Sequence, residues 1–329
     1  MRKLKHYNYD VKASIDLSKF PAVSGYNFEG KFDFDRFIKS FSTTGFQATH
    51  LGQAISIINT MRREKATIFL SFTSNMVSSG VRDIIKFLVK HRHVHVLVTT
   101  AGSIEEDVMK SMDPFHIGSF EIPGRYLYDH GVARIGNLLV PNDRYAYFEH
   151  FMDGVLKKFY DGQKKGSMGS TSDLIRLMGK EINNEDSILY WCQKNNIPVF
   201  CPGLTDGATG DQIYFAKQRW KDFCLDISKD IKQLVDIALN AEKTGVILLG
   251  GGISKHFTLN AQIFRDGADY AVYVNTGQEF DGSDSGARID EAITWAKVKP
   301  NAPNVKVYAD ATLVFPIIVA ATFAKSKKK

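Results

Sequence analysis

The stretch between Asp281 and Lys297 gathers the residues of this sequence that are best suited to do chemistry. It holds four carboxylates, a tryptophan and, at its end, a lysine that follows directly on apolar and aromatic residues. Removal of water from around this lysine would disfavour its ammonium form, and a neutral amine can attack a carbonyl or an imine carbon. The carboxylates would hold a charged amine substrate. The stretch therefore predicts a pocket for a cation in which Lys297 is the nucleophile.

Simpler explanations of this stretch stay open. Lys297 is also what the exposed C-terminal end of a helix favours, because a cation there complements the helix dipole. A calcium loop beginning at Asp281 would have its glycine at position six, but Ala292 stands where a bidentate glutamate is needed, so calcium is excluded. The remaining alternative is a solvated loop before a helix, with Asp290 and Glu291 in the first turn.

Composition and charge place the chain among ordinary globular proteins. Its 329 residues are 44% hydrophobic and 24% charged, enough for one large core or two modest ones. The net charge of +6 falls to +2 without the terminal run 325–329, since removing its four lysines from 42 leaves 38 basic residues against 36 acidic ones. This balance disfavours nucleic-acid binding, which needs a concentrated basic face.

The cysteines and the apolar runs predict a soluble, cytoplasmic protein. Three cysteines without a C-x-x-C pair indicate a reducing compartment: Cys192, Cys201 and Cys224. The first residues lack the apolar core of a signal peptide. The most apolar run, residues 313–324, contains Pro316 and is shorter than the roughly 20 residues of a membrane span.

Alternating helix and strand patterns predict an α/β fold with a mostly parallel sheet, Rossmann-like and covered by helices on both faces. Apolar runs predict strands at residues 66–72, 94–98, 197–200, 246–249, 271–274 and 305–308. Periodic apolar positions predict helices at 51–61, 81–88, 188–191 and 227–238. We expect one domain over residues 1–329, with a short N-terminal extension (1–23) and a basic tail (325–329). Residues from about 114 to 172 are expected to form an excursion with a flexible loop, and residues 170–172 offer a helix N-cap.

Small and polar residues follow each predicted strand, where an open parallel sheet binds ligands. These loops are residues 73–80, 99–107, 201–211, 250–256, 275–279 and 309–311. They favour one extended site for a large ligand. The glycines at 250–252 match no phosphate-binding fingerprint, so a tight turn stays open beside a nucleotide site. The histidines at 91, 93 and 95 are better explained by a charged helix end than by a metal, and no metal is predicted.

Several blocks occur in the same order as in the deoxyhypusine synthase family, which the sequence closely resembles over about residues 24–324. The blocks are residues 43–49, 73–80, 97–102, 134–142, 180–184, 250–256, 279–288 and 307–311. The resemblance implies an NAD-dependent enzyme that transfers the 4-aminobutyl group of spermidine to one lysine of the translation initiation factor 5A precursor. Hydride removal to NAD turns a secondary amine of spermidine into an imine. The catalytic lysine captures the butylamine fragment as 1,3-diaminopropane leaves, and the acceptor lysine displaces it before the hydride returns.

The resemblance also implies roles for individual residues. The catalytic lysine falls on Lys297, and His256 would assist proton transfer at the oxidised nitrogen. The polyamine site would comprise Glu105, Glu106, Asp211, Gly282, Ser283, Asp284, Glu291 and Trp295, with the indole as a wall for the methylene chain. The NAD site would comprise Ser74, Asn75, Met76, Val77, Ser78, Thr100, Ala101, Gly102, Glu106, Asp206, Gly251, Thr276, Gly277, Asp310 and Ala311.

The resemblance further implies a homotetramer with sites at dimer interfaces built from both chains. Two departures from the family pattern could alter binding: Phe257 replaces a second histidine found in animal members, and Gly277 replaces an alanine. The inhibitory N-terminal helix of eukaryotic members is expected to be reduced or absent. Homospermidine synthase, with putrescine as the acceptor, uses the same intermediate and stays the nearest alternative. An inactive regulatory paralogue is disfavoured, because Lys297 and His256 are both present.

Overall fold

The computed structural model describes residues 14–324. Within them the strands are β1 Thr67–Phe72, β2 Val96–Val98, β3 His116–Ile117, β4 Val132–Ile135, β5 Leu138–Pro141, β6 Val199–Phe200, β7 Thr244–Leu249, β8 Tyr270–Asn275 and β9 Asn304–Tyr308. Six of them form one sheet in the order β6-β2-β1-β7-β8-β9, and every neighbouring pair is parallel. The other three form a small antiparallel sheet in the order β3-β5-β4.

The helices connect these strands. They are α1 Phe34–Thr44, α2 Phe46–Arg63, α3 Asn75–Ser78, α4 Val81–Lys90, α5 Ala101–Met112, α6 Gly124–Asp129, α7 Asp143–Lys164, α8 Thr171–Ile182, α9 Ile188–Asn195, α10 Ala208–Arg219, α11 Ile227–Asn240, α12 Gly252–Ile263, α13 Ile289–Thr294 and α14 Ala311–Ala321. A 3₁₀ turn, Glu279–Asp281, lies between β8 and α13.

The order of the large sheet contains a reversal. In chain order its strands occupy places 3-2-1-4-5-6, which is the arrangement of the Rossmann fold. Connections leave β1 toward one side of the sheet and β7 toward the other. In folds with this strand order, ligands bind in a crevice beyond the carboxyl ends of the two strands at the reversal, which here are β1 and β7.

The central strands are apolar on both faces because helices cover both. Along β1, Ile68 and Leu70 belong to one buried cluster, whereas Phe69 between them belongs to a second cluster on the other face. All three side chains are buried. Successive side chains of a strand point to opposite faces, so a continuous apolar run is what a doubly covered strand requires.

The structure confirms the predicted fold class and the alternation of helices and strands. The six predicted strands form the large sheet, although β6 has only two residues. The N-cap at Ser170 is confirmed, because its side chain accepts a hydrogen bond from the Asp173 main chain, and the Asp173 side chain binds the Ser170 N–H. The excursion is more regular than expected: it contains the small sheet and the 22-residue helix α7.

Part of the predicted N-terminal extension, residues 1–13, and the basic tail lie outside the described residues. Residues 14–23 are exposed. Across the described part of the chain, no helix combines the length and the apolarity needed to cross a membrane.

Candidate active site

Lys297 and His256 meet on one face of the large sheet, between α12 and the turn after α13. The Nζ atom of Lys297 lies 3.2 Å from Nε2 of His256, within hydrogen-bond distance. His256 is on α12, which begins just after β7, and its Nδ1 lies 3.2 Å from Nδ2 of Asn260 one turn later. The imidazole is therefore held from one side and faces the amine from the other. A neutral imidazole with its proton on Nδ1 can accept a proton from the amine at Nε2, and in that tautomer Nδ1 donates to the side-chain oxygen of Asn260 after a flip of the amide.

The chain presents Lys297 through a sharp turn after α13. The helix is anchored by the buried side chains of Ile289 and Ala292, and the Lys297 N–H donates to the Ala292 carbonyl at 2.9 Å. Between them, Ala296 adopts a left-handed conformation with φ of 54°. This conformation is costly for a residue with a side chain, because Cβ approaches the following carbonyl. The turn directs Lys297 toward α12, and the lysine itself is half-buried.

The predicted indole wall is beside the amine but is not covered. The Lys297 ammonium lies 5.9 Å from the centroid of the Trp295 ring, within the range of a cation–π contact. The indole is 62% exposed. The sequence predicted a desolvated lysine, and a single chain supplies only part of that desolvation.

A second lysine lies deeper in the same cluster. Lys255 is buried, donates to the main-chain carbonyl of Asp284 and lies 3.8 Å from Oδ2 of the same residue. Burial lowers the pKa of Lys255; the charges of Asp284 and Glu291 oppose this effect, and the charge of Lys297 adds to it. Two carboxylates and two amines therefore share one electrostatic environment. We call Lys255, His256, Asp284, Glu291, Trp295 and Lys297 the lysine half.

The loop after β8 lies next to the lysine half and contains further residues of the predicted polyamine and NAD sites. Asn275 fixes its start, because its side chain accepts from the Gly277 N–H at 3.1 Å and donates to the Gly250 carbonyl at 3.2 Å. Gly282 adopts φ of 71°, and the Ser283 N–H donates to the Asp281 carboxylate at 2.8 Å. The loop also packs on the turn after β7: a Cβ atom on Gly251 would lie 2.4 Å from the Ser285 Cα.

Glu105 and Glu106 lie on the opposite side of the β1/β7 crevice, on α5 after β2. Both are buried. Glu105 accepts a hydrogen bond from the Thr209 N–H at 2.7 Å, and Glu106 accepts one from the Ser78 hydroxyl. Burial raises the pKa of Glu105 and raises that of Glu106 to about 7. Asp211 is exposed in the first turn of α10, and its charge contributes to the Glu105 shift. We call Glu105, Glu106 and Asp211 the acidic half.

A buried ion pair fixes the helix that carries Glu105 and Glu106. Asp107, the next residue of α5, is fully buried and accepts from Arg82 Nε at 2.9 Å. The Asp107 carboxylate also accepts from the Ser187 hydroxyl at 2.6 Å and from the Ile188 N–H at 3.0 Å. All its acceptor positions are used within the fold, so Asp107 is a structural residue.

The predicted cofactor loop after β1 lies beside the acidic half. The Ser74 N–H donates to the Thr100 hydroxyl at 3.0 Å, which joins this loop to the start of α5. Met76 and Val77 point into the core, so only their main chain can contact a ligand. Lys110 stabilises the far end of the loop by donating to the carbonyls of residues 77–79.

The remaining predicted cofactor residues line the neighbouring strand ends. A Cβ atom on Gly102 would lie 2.9 Å from the Ser74 Cβ, so these loops are in close contact. Asp206 and Thr276 are exposed, whereas Ala311 is buried in the first turn of α14. The carboxylate of Asp310 caps that helix by accepting from the Thr312 N–H at 2.7 Å.

Among residues 14–324, the two halves are separate sets of side chains without a hydrogen bond or ion pair between them. The described residues also include no group of three His, Cys, Asp or Glu side chains arranged to hold a metal ion.

Sequence reasoning missed three polar residues at this site. Lys255 stands next to His256 in the chain, and Lys110 follows Glu106 by one helical turn, so both had a detectable signal. Tyr145 had none, because it comes from α7. Burial raises the pKa of Tyr145, and the charges of Glu106 and Glu105 add to the increase, so its ring lies near the acidic half.

Comparison with known proteins gives a consistent result. A family model described as deoxyhypusine synthase matches residues 36–322. The deoxyhypusine synthase of Arabidopsis thaliana is 48% identical over 337 residues, covering 94% of this chain and 92% of the relative. That of Musa acuminata is 49% identical over 344 residues, covering 96% and 92%. A crystal structure from Entamoeba histolytica, provisionally named deoxyhypusine synthase, has a TM-score of 0.66 and 32% identity, covering 93% of this chain and 99% of that chain.

Proposed function

Because the chain belongs to the deoxyhypusine synthase family and is an aminobutyltransferase, we propose that its two halves bind NAD and spermidine and transfer the 4-aminobutyl group through Lys297. The acceptor is one lysine of the translation initiation factor 5A precursor. The named relatives favour this product over homospermidine. The observation that carries the proposal is the 3.2 Å contact between Lys297 Nζ and His256 Nε2 beside Asp284 and Glu291.

The lysine half suits attack on an imine carbon of oxidised spermidine. Lys297 must lose a proton before it can attack, and His256 is the group within reach of that proton. Asp284 and Glu291 would hold an ammonium group of the substrate. The exposed Trp295 ring would cover the methylene chain. Lys297 would then carry the butylamine fragment as an imine until the acceptor lysine displaces it.

The residues of the chain fit NAD. The helices α5 and α12 begin beside the β1/β7 crevice without a side-chain cap, which leaves main-chain N–H groups for a phosphate. Gly250 keeps the crevice narrow, because a Cβ atom there would lie 2.7 Å from the Thr73 hydroxyl. Asp206 and Asp310 would accept hydrogen bonds from ribose hydroxyls. When bound, NAD would supply the acceptor for the hydride that leaves spermidine and would later return it.

The acidic half would hold the other end of the polyamine. Glu106 would be largely ionised above pH 7, and a bound ammonium would favour the ionised form further. The exposed carboxylate of Asp211 lies closest to solvent. Glu105 binds the start of α10, so its contribution to the substrate would be made through charge more than through direct contact.

A second copy of the chain would complete the site. Three apolar residues near the lysine half are exposed: Ile253, Phe280 and Trp295. A reactive imine requires exclusion of water, which one chain does not provide here. A partner placed with its acidic half over this surface would bring together the two sets of residues that are separate in one chain. We therefore propose a homotetramer in which each active site lies at a dimer interface and contains residues of both chains.

The compartment proposed for this enzyme is the cytoplasm. Cys192, Cys201 and Cys224 are all unpaired, as a reducing compartment favours.

An acceptor competition tests this function. The purified protein is incubated with NAD and spermidine labelled in its butyl group, with either the precursor protein or putrescine as acceptor. We expect label on one precursor lysine, with release of 1,3-diaminopropane, and little labelled homospermidine. Label recovered mainly in homospermidine would overturn the assignment of the acceptor. Absence of 1,3-diaminopropane with both acceptors would overturn the transferase function.

A further inference from the structure

The loop between Gly277 and Gly286 closes on itself, main chain against main chain. A Cβ atom on Gly286 would lie 1.7 Å from the Gln278 carbonyl oxygen. A Cβ atom on Gly277 would lie 2.8 Å from the Ser285 carbonyl oxygen. Only glycine permits these contacts without displacement of the main chain. We call residues 277, 278, 285 and 286 the neck of this loop, which carries Asp284 just inside its closure.

The ammonium of Lys306 spans the neck. Lys306 is on β9, and its Nζ donates to the Gly277 carbonyl at 3.0 Å and to the Gly286 carbonyl at 2.6 Å. The same group lies 4.3 Å from the centroid of the Tyr308 ring. One cation therefore binds both ends of the loop at once. Among residues 14–324, no other side chain donates to these two carbonyl oxygens.

The ammonium of Lys306 makes these hydrogen bonds in a buried position. Lys306 is 7% exposed, and burial lowers its pKa; the charge of Lys255 adds to that effect, and the charge of Glu279 opposes it. None of the ion pairs found in residues 14–324 includes Lys306. A buried ammonium without a paired carboxylate is costly, so its hydrogen bonds to the two carbonyls are what retain it in this position.

Lys306 and Lys255 hold the loop from different elements. Lys255, on α12, donates to the Asp284 carbonyl, whereas Lys306, on β9, holds the neck. Asp284 is thus fixed both at its own main chain and at the closure of the loop that carries it.

We propose that Lys306 is a positioning residue for the polyamine site: it closes the neck of the loop and so holds Asp284 against the substrate. The proposal rests on the proposed function, because that function gives Asp284 its role. Lys306 itself does not touch the substrate. A misplacement of about 1 Å in a site can reduce the rate about a hundredfold, so a loosened neck has a measurable consequence.

The test compares three variants with the wild type. Lys306→Met removes the donors but keeps the aliphatic chain. Lys306→Arg keeps a cation that can donate to two carbonyls at once. Lys243→Met is the matched control, because Lys243 is a half-buried lysine bound to Glu64 at the opposite end of the sheet, before β7. The readouts are hydrogen exchange of residues 277–286 and the KM values for spermidine and for the acceptor protein.

We expect Lys306→Met to accelerate exchange in the loop and to raise the KM for spermidine about tenfold, with the KM for the acceptor within about twofold. Lys306→Arg should recover most of both effects. Lys243→Met should lower the melting temperature without changing either quantity. A merely structural role for Lys306 would reduce the active fraction and leave the KM for spermidine unchanged.

Unchanged exchange in Lys306→Met would overturn the proposal, whatever the activity. Faster exchange with an unchanged KM for spermidine in an active enzyme would also overturn it. A wild-type protein that transfers no aminobutyl group would instead show that the proposed function is wrong, and the exchange measurement would still decide whether Lys306 closes the neck.

Discussion

The acidic half and the lysine half differ in how far a single chain completes them. Glu105 and Glu106 are 6% and 8% exposed, and each accepts a hydrogen bond from a neighbouring element. In the lysine half Trp295 is 62% exposed, and Lys297 is half-buried. The acidic half is therefore organised by the fold of one chain. In the lysine half, Lys297 and His256 are in contact, but one chain does not shield them from water as the proposed chemistry requires.

This difference has a physical origin in the positions of the two halves. The two glutamates of the acidic half lie on α5, a helix with eight buried residues that is fixed by the Arg82–Asp107 ion pair. The lysine half depends on α13, which has six residues, and on the turn that follows it. A short helix beside a loop offers less surface to cover its own side chains. Assembly with a second chain would supply that cover at the place where water must be excluded.

The largest expected effect is that of Lys297→Arg. Arginine stays protonated and cannot attack an imine carbon, so we expect aminobutyl transfer to fall by at least about a thousandfold. NAD binding, measured by calorimetry, should stay within a few-fold of the wild type, because the residues proposed to bind NAD are unchanged. Lys299→Arg, two residues further on, is the control and should retain activity. Turnover of Lys297→Arg near the wild-type rate would exclude a covalent role for this amine.

The second prediction tests whether the halves of one site come from different chains. Lys297→Ala removes the nucleophile and Asp211→Ala removes an exposed carboxylate of the acidic half. Chains of the two variants, co-expressed with different tags, should regain about a quarter of wild-type activity. Half of randomly paired dimers are mixed, and each mixed dimer has one intact site of two.

The mixed dimers are isolated through both tags, and their labelled product is compared with that of each parent. We expect at least about a hundredfold more activity than the Lys297→Ala parent has alone, because that parent lacks the nucleophile. Activity no greater than the sum of the parents would place both halves of each site in the same chain.

The third prediction concerns the free energy of unfolding, which Glu106 makes dependent on pH. Its pKa is about 7 in the fold and 4.5 ordinarily. Between these values the folded state keeps a proton that the unfolded state has lost, so stability falls as pH rises from about 4.5 through 7. The full loss is on the order of 3 kcal/mol above that window and is absent below it. Glu106→Gln removes this dependence.

Urea unfolding at pH 5 and pH 8, at one protein concentration, measures the effect. The stability of Glu106→Gln relative to the wild type should increase by up to about 3 kcal/mol between the two pH values. Glu121→Gln, an exposed carboxylate in the small-sheet region, should show no such change. An equal difference at both pH values would mean that burial does not disfavour the Glu106 carboxylate.

Sequence patterns were sufficient for the large sheet because its strands are buried on both faces. Strands such as β7, in which every residue is buried, appear as apolar runs bounded by small residues. Helix α7 was missed for the opposite reason. Its aromatic residues between Tyr145 and Phe151 and its charged residues do not show a clean apolar stripe, and part of it covers the acidic half instead of the core.

For the site, the sequence supplied residue types but not their surroundings. Loop composition and the family resemblance gave Lys297 and His256, and the structure places them in contact. The buried Lys306 could not be assigned, because its acceptors are main-chain carbonyls of a loop formed by another part of the chain. Main-chain acceptors have no residue-type signature. The partial exposure of the lysine half could not be predicted from the sequence either, since burial depends on tertiary contacts.

The smallest expected effect concerns the turn that presents Lys297. Ala296 and Lys65 both have a positive φ of 54°, a conformation that glycine adopts without the Cβ penalty. Ala296→Gly and Lys65→Gly should each stabilise the protein by up to about 1 kcal/mol in urea unfolding. They should differ in catalysis: a more flexible turn beside Lys297 should lower the rate of aminobutyl transfer about two- to threefold, whereas the Lys65 turn, which precedes β1, should leave the rate unchanged. Equal rates for the two variants would mean that strain at Ala296 does not help to position the amine. The difference between the halves would then lie in their exposure alone.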